Sequence, residues 1–286
     1  MEDQSDKPRV AALLTCHNRR ELTVACLERL EQQQDHDAQV DVVVLDAASQ
    51  DGTAQAVADR FGNATVLRGH ADLFWARGMH VAFRHAVNAG TYDFYLWLND
   101  DTFLDSDSLA RLVQTHRKLR SQRTEPLIVA GATRDGDTGE LTYGGIRRSE
   151  HGSPLRFERV PTPAAHPMAV DTMNGNCVLI SREVVDRIGI IDPKFFHALA
   201  DFDYGLRARA AGCSVFLAPG TIGTCQANTA PPSRLQRLRS VFGRRRIRVR
   251  EWYTFARRWG GRGWPLLLPA PYVRHTLDAL SRQHRA

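Results

Sequence analysis

Four short apolar runs alternate with amphipathic helical patterns over the first hundred residues. The runs cover residues 10–15, 40–45, 65–67 and 94–98, and apolar residues at helical spacing fill the intervals between them. Alternation of strands and helices predicts an α/β fold, a mainly parallel Rossmann-like sheet with helices on both faces. Ligands of such sheets bind beyond the carboxyl ends of the strands. The alternation therefore predicts both the fold class and the edge where a site should lie.

Polar residues follow three of these strands at that edge, in the segments 16–18, 46–53 and 99–102. Asp46 ends a buried strand, where its carboxylate could accept a hydrogen bond from a nucleobase N–H. Asp51 is explained by turn and helix-cap chemistry, because Asp-Gly-Thr is a common way to leave a turn and start a helix.

The acidic segment Asn99-Asp100-Asp101-Thr102 is the most informative of the three. Two adjacent carboxylates at a strand end repel each other unless a cation lies between them. Mg²⁺ and Mn²⁺ suit this position, since one or two carboxylates and the phosphates of a substrate commonly hold such ions. The alternative is a solvated loop in which Asp101 or Asp105 caps the next helix.

The second half of the chain is less regular. Strands are predicted at 127–130, 172–180 and 215–218, and helices at 182–188 and 202–211. One of Asp201 and Asp203 is expected to be an acidic residue of the first helical turn, where the helix dipole favours it. The other could act as a general base. His197, four residues before Asp201, is either a supporting group or a structural histidine. Trp75 is either a core residue or a wall on which a sugar stacks.

Composition limits the possible surroundings of the protein. The chain has 286 residues, no apolar stretch of the roughly 20 residues needed to span a bilayer, and a polar, acidic beginning that does not resemble a secretory signal. Its five cysteines show no CxxC spacing, which favours free thiols. We therefore expect a cytoplasmic protein, at most peripheral on the inner face of the cell membrane.

Charge divides the chain into two parts. From residue 231 onward, 14 Arg oppose only Glu251 and Asp278, whereas residues 1–230 carry a net charge of −6. We expect a catalytic domain at 1–230 and a basic, aromatic-rich helical extension at 231–286. Basic aromatic helices suit an anionic membrane surface. Packing on the acidic body and a homodimer interface are alternatives, whereas nucleic acid ranks below these because no recognition motif accompanies the charge.

Seven segments, read in order, resemble one family. They are LLTCHNR, VVVLDAASQDGT, FWARGM, LWLNDDT, NGNCVLISREVVDRIGIID, FFHALADFDYGLRARAAG and APGTIGTC, and they span about residues 10–225. Together they resemble the family-2 glycosyltransferases with the GT-A fold, especially the bacterial rhamnosyltransferase-like branch.

The resemblance implies an inverting transferase with a dTDP-, UDP- or GDP-linked sugar donor and a glycan or lipid-linked acceptor, in bacterial polysaccharide, glycolipid or cell-envelope glycan synthesis. It implies a divalent cation, Mg²⁺ or Mn²⁺, as cofactor. It places donor binding at Thr15, Asn18, Asp46, Trp75 and Asp100, the metal at Asp101 with Asp100, and the catalytic base at Asp201. Two positions depart from the common pattern, namely Asn99 and Ala200, where many relatives carry acids. The departure at Ala200 keeps Asp203 open as the base. His197 is a candidate for supporting the acceptor.

Two other functions remain open on sequence grounds. A nucleotidyltransferase on a similar sheet would need a glycine-rich phosphate loop after the first strand, but the segment TCHNRRE offers Arg19 and Arg20 and no glycine. A non-catalytic carbohydrate- or nucleic-acid-binding protein would show salt-dependent nucleic-acid binding and no affinity for nucleoside diphosphates.

Overall fold

The predicted alternation of strands and helices forms four neighbouring strands of a ten-stranded sheet. The computed structural model describes residues 7–34, 38–90, 92–226 and 249–269. The strands are β1 (Arg9–Cys16), β2 (Gln39–Asp46), β3 (Ala64–Arg68), β4 (Phe94–Leu98), β5 (Phe103–Leu104), β6 (Leu127–Arg134), β7 (Leu141–Tyr143), β8 (Gly145–Arg148), β9 (Phe157–Arg159), β10 (Met168–Ala169), β11 (Thr172–Met173), β12 (Cys177–Ser181) and β13 (Ser214–Thr224). The helices of this part are α1 (Arg20–Glu31), α2 (Thr53–Arg60), α3 (Phe74–Ala89), α4 (Ser108–Arg120), α5 (Arg182–Ile188) and α6 (Ala200–Ala210). The four predicted strands of the first hundred residues are confirmed as β1 to β4.

The large sheet has the order β10–β13–β6–β12–β4–β1–β2–β3, with β5 paired to β13 and β7 to β6. β1 pairs in parallel with both β2 and β4, and β2 pairs in parallel with β3. β12 runs antiparallel to its neighbours β4 and β6. A second sheet of three strands has the order β11–β8–β9.

The chain changes direction across the sheet at β1. From β1 it adds β2 and β3 on one side, and it then returns to place β4 on the other side. Such a reversal opens a crevice beyond the carboxyl ends of the two central strands, where ligands of α/β sheets bind. Cys16 and Leu98, the last residues of β1 and β4, border this crevice.

Helices cover both faces of the sheet, as predicted, because each strand buries the side chains of both its faces. One face packs against α1, α2 and α4, with Leu14, Val44 and Leu96 pointing into that core. On the other face, the Phe83 ring of α3 lies 6.1 Å from the Trp97 ring of β4, whose ring lies 4.8 Å from that of Tyr204 in α6. These two layers hold the crevice edge in place.

Two element boundaries differ from the prediction. The single strand expected at 172–180 is broken into β11 and β12, because the intervening backbone bonds elsewhere: Asn176 accepts the Asn99 N–H, and Gly175 donates to Asp201. Apolar pattern alone does not reveal these long-range partners. The last helix begins at Ala200 rather than 202, which puts Asp201 and Asp203 inside its first turn.

Asp51 has the structural role expected from its turn. Its Oδ1 accepts the Thr53 N–H at 3.1 Å, and its Oδ2 accepts the Arg20 N–H at 2.9 Å. One carboxylate thereby satisfies free N–H groups at the start of both α1 and α2. These bonds, the one from the Thr53 hydroxyl first, lower the pKa of Asp51.

The chain divides into two compact units, residues 1–147 with 159–227 and residues 148–158 with 228–286. In the second unit the described C-terminal segment contains α7 (Val249–Trp259), one 3-10 turn (Gly261–Gly263) and α8 (Trp264–Leu267). The Trp252 indole N–H donates to the carbonyl of Leu268 at 3.1 Å, which joins α7 to the end of α8.

The basic extension was expected to be helical, and part of it is. Residues 231–248 and 270–286, which carry most of its arginines, lie outside the described residues. The boundary at 230/231, the membrane contact and the homodimer interface stay predictions. None of the helices in the described ranges is long and apolar enough to cross a membrane.

All five cysteines are buried and free, as expected from their spacing.

Candidate active site

The three polar segments predicted at the sheet edge meet in the structure. The Ala47 N–H donates to the Cys16 carbonyl at 2.9 Å, and the Gln50 N–H donates to Asn18 Oδ1 at 2.7 Å. The Ser49 hydroxyl accepts the Asn18 N–H at 2.9 Å. The loop after β1 and the loop after β2 are therefore bound to each other, and Asn18 orders this pair of loops.

Asp46 lies at the floor of this loop pair. It is the last residue of β2, its side chain is buried, and its Oδ1 accepts the Ser49 N–H at 3.1 Å. Thr15, one residue before the end of β1, is half-buried and lies against α3, where a Cβ atom on Gly78 would come within 2.3 Å of its hydroxyl. The absence of a side chain at Gly78 thus allows α3 to approach β1 closely.

Asp100 and Asp101 converge on a single cationic atom. Arg19 Nη1 lies 3.0 Å from Asp100 Oδ1 and 2.7 Å from Asp101 Oδ2. Asp100 is almost fully buried, whereas the Arg19 side chain is 43% exposed and Asp101 is 29% exposed. The two carboxylates thus point oxygens at one common position, and a positive group occupies it.

Burial dominates the electrostatics of this pair. It raises the pKa of Asp100 to about 6, the charge of Asp101 acts in the same direction, and the Arg19 guanidinium opposes both. Asp100 therefore depends on a neighbouring cation to stay ionised.

Asn99 connects the acidic pair to the next part of the site. Its backbone N–H donates to the Asn176 carbonyl at 3.0 Å, and its side-chain Oδ1 accepts the Trp75 indole N–H at 2.7 Å. On the far side of the pair, Cys225 Sγ lies 3.6 Å from Asp101 Oδ1. The loop after β4 is therefore held by α3, by the turn before β12 and by the end of β13.

Trp75 links Asn99 to Asp201 through Gly175. A Cβ atom on Gly175 would lie 2.6 Å from the Trp75 ring and 3.4 Å from Asp201 Cβ, so only glycine leaves room there. The Gly175 N–H donates to Asp201 Oδ2 at 3.1 Å. The half-buried Trp75 ring thus lies between Asn99 and Gly175, and the Trp97 ring is 6.0 Å from it.

The Asp201 carboxylate combines two backbone N–H donors with a raised pKa. Its carboxylate accepts the N–H groups of Phe202 at 2.9 Å and Gly175 at 3.1 Å. Burial outweighs these bonds and raises the pKa of Asp201 to about 6. A carboxylate with this pKa is mostly ionised at neutral pH and is a stronger base than an ordinary aspartate.

Asp203 is held in a different role. It is fully buried, and its Oδ2 accepts Arg207 Nε at 2.9 Å one turn along α6. The other Arg207 nitrogens donate to the carbonyls of Ile188 and Ile190 at 2.8 and 2.9 Å. Asp203 thus positions the arginine that joins α6 to the end of α5, and we interpret it as structural.

Replacing Asp203 by Asn should therefore lower stability. The substitution leaves the largely buried Arg207 cation without a counter-charge, a loss that costs about 3 kcal/mol or more in buried pairs. We expect the melting temperature, measured by circular dichroism, to fall by roughly 5 to 10 °C.

A matched control is Asp186→Asn, which removes the partner of Arg182 from an i,i+4 pair with N···O 3.7 Å and a 66% exposed Asp186 side chain. Exposed pairs contribute about 0.5 kcal/mol, so this variant should melt close to the wild type. Equal melting temperatures for both variants would contradict the structural role of Asp203.

Strained backbone collects around the same residues. Among the described residues, the non-glycine positions with positive φ are Asn18 (50°), Ala48 (58°), Phe74 (52°) and Leu199 (65°). They precede Arg19, Ser49 and Trp75 directly, and Leu199 immediately precedes α6, which carries Asp201. Left-handed backbone costs about 1–3 kcal/mol at such residues and clusters at functional sites. The strain therefore agrees with a site at this edge.

His197 lies beside Phe74 of α3. Its ring lies 6.5 Å from the Phe74 ring in an edge arrangement, and the residue is exposed. Its acceptor-side role stays a prediction.

Sequence reasoning missed four participants: Arg19, Gly175, Asn176 and Cys225. The available signal for Arg19 was a basic residue directly after the first polar segment, at the same sheet edge as the two acids of the third segment. Nothing local distinguishes the other three, since each acts through a partner at least 26 residues away.

The carboxylate pair could hold a cation, though not by side chains alone. Across residues 7–34, 38–90, 92–226 and 249–269, no group of three or more His, Cys, Asp and Glu side chains is arranged to hold a metal ion. Two converging carboxylate oxygens with a positive group already between them nonetheless fit a hard divalent ion that takes its remaining ligands from phosphate and water.

Comparison with known proteins agrees with this geometry. Residues 12–189 match the family Glycosyl transferase family 2, and residues 154–254 match Glycosyltransferase like family 2. No curated protein sequence matches the chain.

Several solved structures share the fold at low identity. They include the mannosyltransferase PcManGT from Pyrobaculum calidifontis in complex with GDP-Man and Mn²⁺ (TM-score 0.59, 18% identity, 99% of this chain and 77% of that one). They also include GalNAc-T7 with UDP, GalNAc and Mn²⁺ (0.60, 13%, 94% and 55%) and S. aureus TarS (0.55, 13%, 87% and 42%).

The chain spans about half the length of the last two, so the likeness concerns the shared domain. It confirms the predicted GT-A form of the α/β fold. Since the first family match covers more than half of the sequence, the chain belongs to glycosyltransferase family 2.

Proposed function

We propose that the protein is an inverting glycosyltransferase that moves a sugar from a nucleotide-diphosphate donor to an acceptor hydroxyl. The observation that carries the proposal is that two carboxylates, Asp100 and Asp101, converge on one cation position. Asn99, Trp75 and Gly175 connect this pair to Asp201, a third carboxylate whose pKa is raised. The corner at Asp100 and Asp101 suits the diphosphate, and the corner at Asp201 suits the acceptor.

The donor binds across the β1/β4 crevice. Asp46 contacts the base, with Thr15 and Asn18 beside it, and the diphosphate lies toward Asp100 and Asp101. The half-buried Trp75 ring forms a wall for the sugar between the diphosphate corner and Asp201. Support for a nucleotide-sugar donor comes from the similar folds crystallised with GDP-Man and with UDP.

Asp101, with Asp100, would hold a Mg²⁺ or Mn²⁺ ion together with the donor phosphates. When bound, this ion supplies electrostatic stabilisation of the charge that develops on the leaving diphosphate. The two similar folds crystallised with Mn²⁺ support a divalent cation.

Asp201 acts as the base in a single displacement. Its carboxylate removes the proton of the acceptor hydroxyl while that oxygen forms a bond to the anomeric carbon. The bond from that carbon to the diphosphate oxygen breaks on the opposite face, and the nucleoside diphosphate leaves as an anion. Configuration is inverted because the acceptor oxygen attacks the face opposite the leaving diphosphate in a single displacement. No acid group is required, unlike glycoside hydrolysis, where a carboxylic acid protonates the leaving oxygen.

The acceptor is proposed to be a growing glycan or a lipid-linked sugar of a bacterial envelope polysaccharide or glycolipid, in the rhamnosyltransferase-like branch. Asn99 in place of an acid is the residue that favours this branch. Membership of the family favours sugar transfer over nucleotidyl transfer, for which the loop after β1 also lacks glycines.

A thermal-shift screen tests the proposal. A nucleoside diphosphate from the UDP, GDP and dTDP set should raise the melting temperature by roughly 5 °C at saturation, and more with Mn²⁺ than with a chelator. Matched nucleosides serve as controls because they lack the diphosphate. If no nucleoside diphosphate shifts the transition under either condition, and the protein instead binds nucleic acid in a salt-dependent manner, a non-catalytic binding protein is favoured.

A further inference from the structure

We propose that Arg19 is a built-in counter-cation that holds Asp100 and Asp101 together before the divalent ion binds, and that it transfers to the donor diphosphate when the ion takes its place. This inference rests on the proposed function, because it concerns the same ion and the same diphosphate.

The geometry makes Arg19 and the ion competitors. Arg19 Nη1 reaches one oxygen of each carboxylate, at 3.0 and 2.7 Å. A divalent ion held by Asp100 and Asp101 would need oxygens of the same two carboxylates, and Arg19 Nη1 already contacts one oxygen of each. Two cations that close repel each other, so the guanidinium and the ion would compete for this pair.

Arg19 is also able to leave. Its side chain is 43% exposed, whereas that of Asp100 is 9% exposed, so the carboxylates stay in the protein and the guanidinium has solvent beside it. Arg19 directly precedes α1 and follows Asn18, whose φ of 50° marks a sharp bend. A turn of the exposed side chain would carry the guanidinium away from the carboxylates.

The released guanidinium has one obvious new partner. The donor diphosphate would lie at this corner, and guanidinium groups bind phosphate oxygens in a paired, planar geometry. Metal binding without nucleotide costs the two Arg19 bonds, whereas metal binding with nucleotide restores them on phosphate. Arg19 therefore adds to the coupling between the two ligands, and coupling between sites is reciprocal.

The test measures Mn²⁺ binding directly, from the electron paramagnetic resonance signal of free Mn²⁺, at pH 8 with and without the nucleoside diphosphate found by the thermal-shift screen. In the nucleotide-free protein, Arg19→Ala should bind Mn²⁺ about tenfold more tightly, because the competing cation is gone. With Mn²⁺ present, the same variant should bind the nucleoside diphosphate about tenfold more weakly. The enhancement of Mn²⁺ affinity by nucleotide should be correspondingly smaller than in the wild type.

Arg20→Ala is the matched control, since it removes the same charge one residue along. Only the backbone N–H of Arg20 binds a carboxylate in the contacts described, that of Asp51. Its Mn²⁺ affinity should stay within about twofold of the wild type. Arg19→Gln repeats the test with a longer side chain should Arg19→Ala fold poorly.

Two failures are distinguishable. If Arg19→Ala and the wild type bind Mn²⁺ equally while the wild type still binds nucleoside diphosphate with Mn²⁺, the counter-cation inference is wrong and the proposed function stands. If the wild type binds neither Mn²⁺ nor any nucleoside diphosphate, both are overturned.

Discussion

Replacing Asp201 by Asn is expected to lower sugar-transfer turnover by about 10³-fold while donor affinity stays within a few-fold of the wild type. The amide is nearly isosteric and still has an oxygen that can accept a backbone N–H, but it cannot take a proton from the acceptor hydroxyl. Turnover is measured by release of the nucleoside diphosphate, and donor binding by calorimetry. A fully active Asp201→Asn enzyme would show that another group is the base.

The pH dependence follows from the same carboxylate. A base works when deprotonated, and the pKa of Asp201 is about 6, so kcat/KM should be constant above about pH 7 and fall about tenfold by pH 5. A base with an ordinary aspartate pKa would retain its activity at pH 5. Mn²⁺ is kept saturating at each pH so that the profile reports the base.

The stability of the Asp201→Asn variant provides an independent control. The pKa of Asp201 is raised from 3.8 to about 6 in the folded state, so the carboxylate disfavours the folded state increasingly from about pH 4 to pH 6 and by a constant amount above that. Asp201→Asn should therefore be close to the wild type in stability at pH 4 and about 3 kcal/mol more stable at pH 8. Loss of turnover without loss of stability separates chemistry from misfolding.

Asp101→Asn is expected to reduce kcat/KM by about 10³-fold with Mn²⁺ present, because one of the two charges that hold the ion is lost. The variant should also lose the Mn²⁺-dependent part of the thermal shift by nucleoside diphosphate. Asp101 is chosen over Asp100 because it is 29% exposed, and an amide there leaves no buried charge unpaired.

The matched control is Asp107→Asn. Asp107 is six residues along the same segment, its side chain is 56% exposed, and it pairs with Arg111 at 3.6 Å. It should retain wild-type activity and metal dependence. Wild-type kinetics for Asp101→Asn would remove the acidic pair from the metal site.

Local pattern was sufficient wherever a residue's environment depends on near neighbours in the chain. Buried parallel strands require continuous apolar runs, so β1 to β4 could be predicted closely. The convergence of Asp46, Asn99 and Asp101 was also predictable, because parallel strands bring their carboxyl ends to one edge.

Long-range contacts set the limits of that prediction. The break between β11 and β12 depends on the partners of Gly175 and Asn176, which lie on other elements. The choice between Asp201 and Asp203 was open in the sequence, as both lie near the start of one helix. Arg207 pairs with the buried Asp203, whereas the Gly175 N–H donates to Asp201.

The sequence by itself determined the α/β class, the edge of the sheet that carries the site, and the family whose motifs lie along it. Apolar periodicity and strand-end polarity are local properties, and they persist whichever way the chain folds. Only the tertiary structure decided that Arg19 lies between Asp100 and Asp101, and that Trp75 joins Asn99 to the Asp201 corner. These contacts join residues 24 to 100 positions apart, and they exist only because the packed helices hold these loops at one crevice.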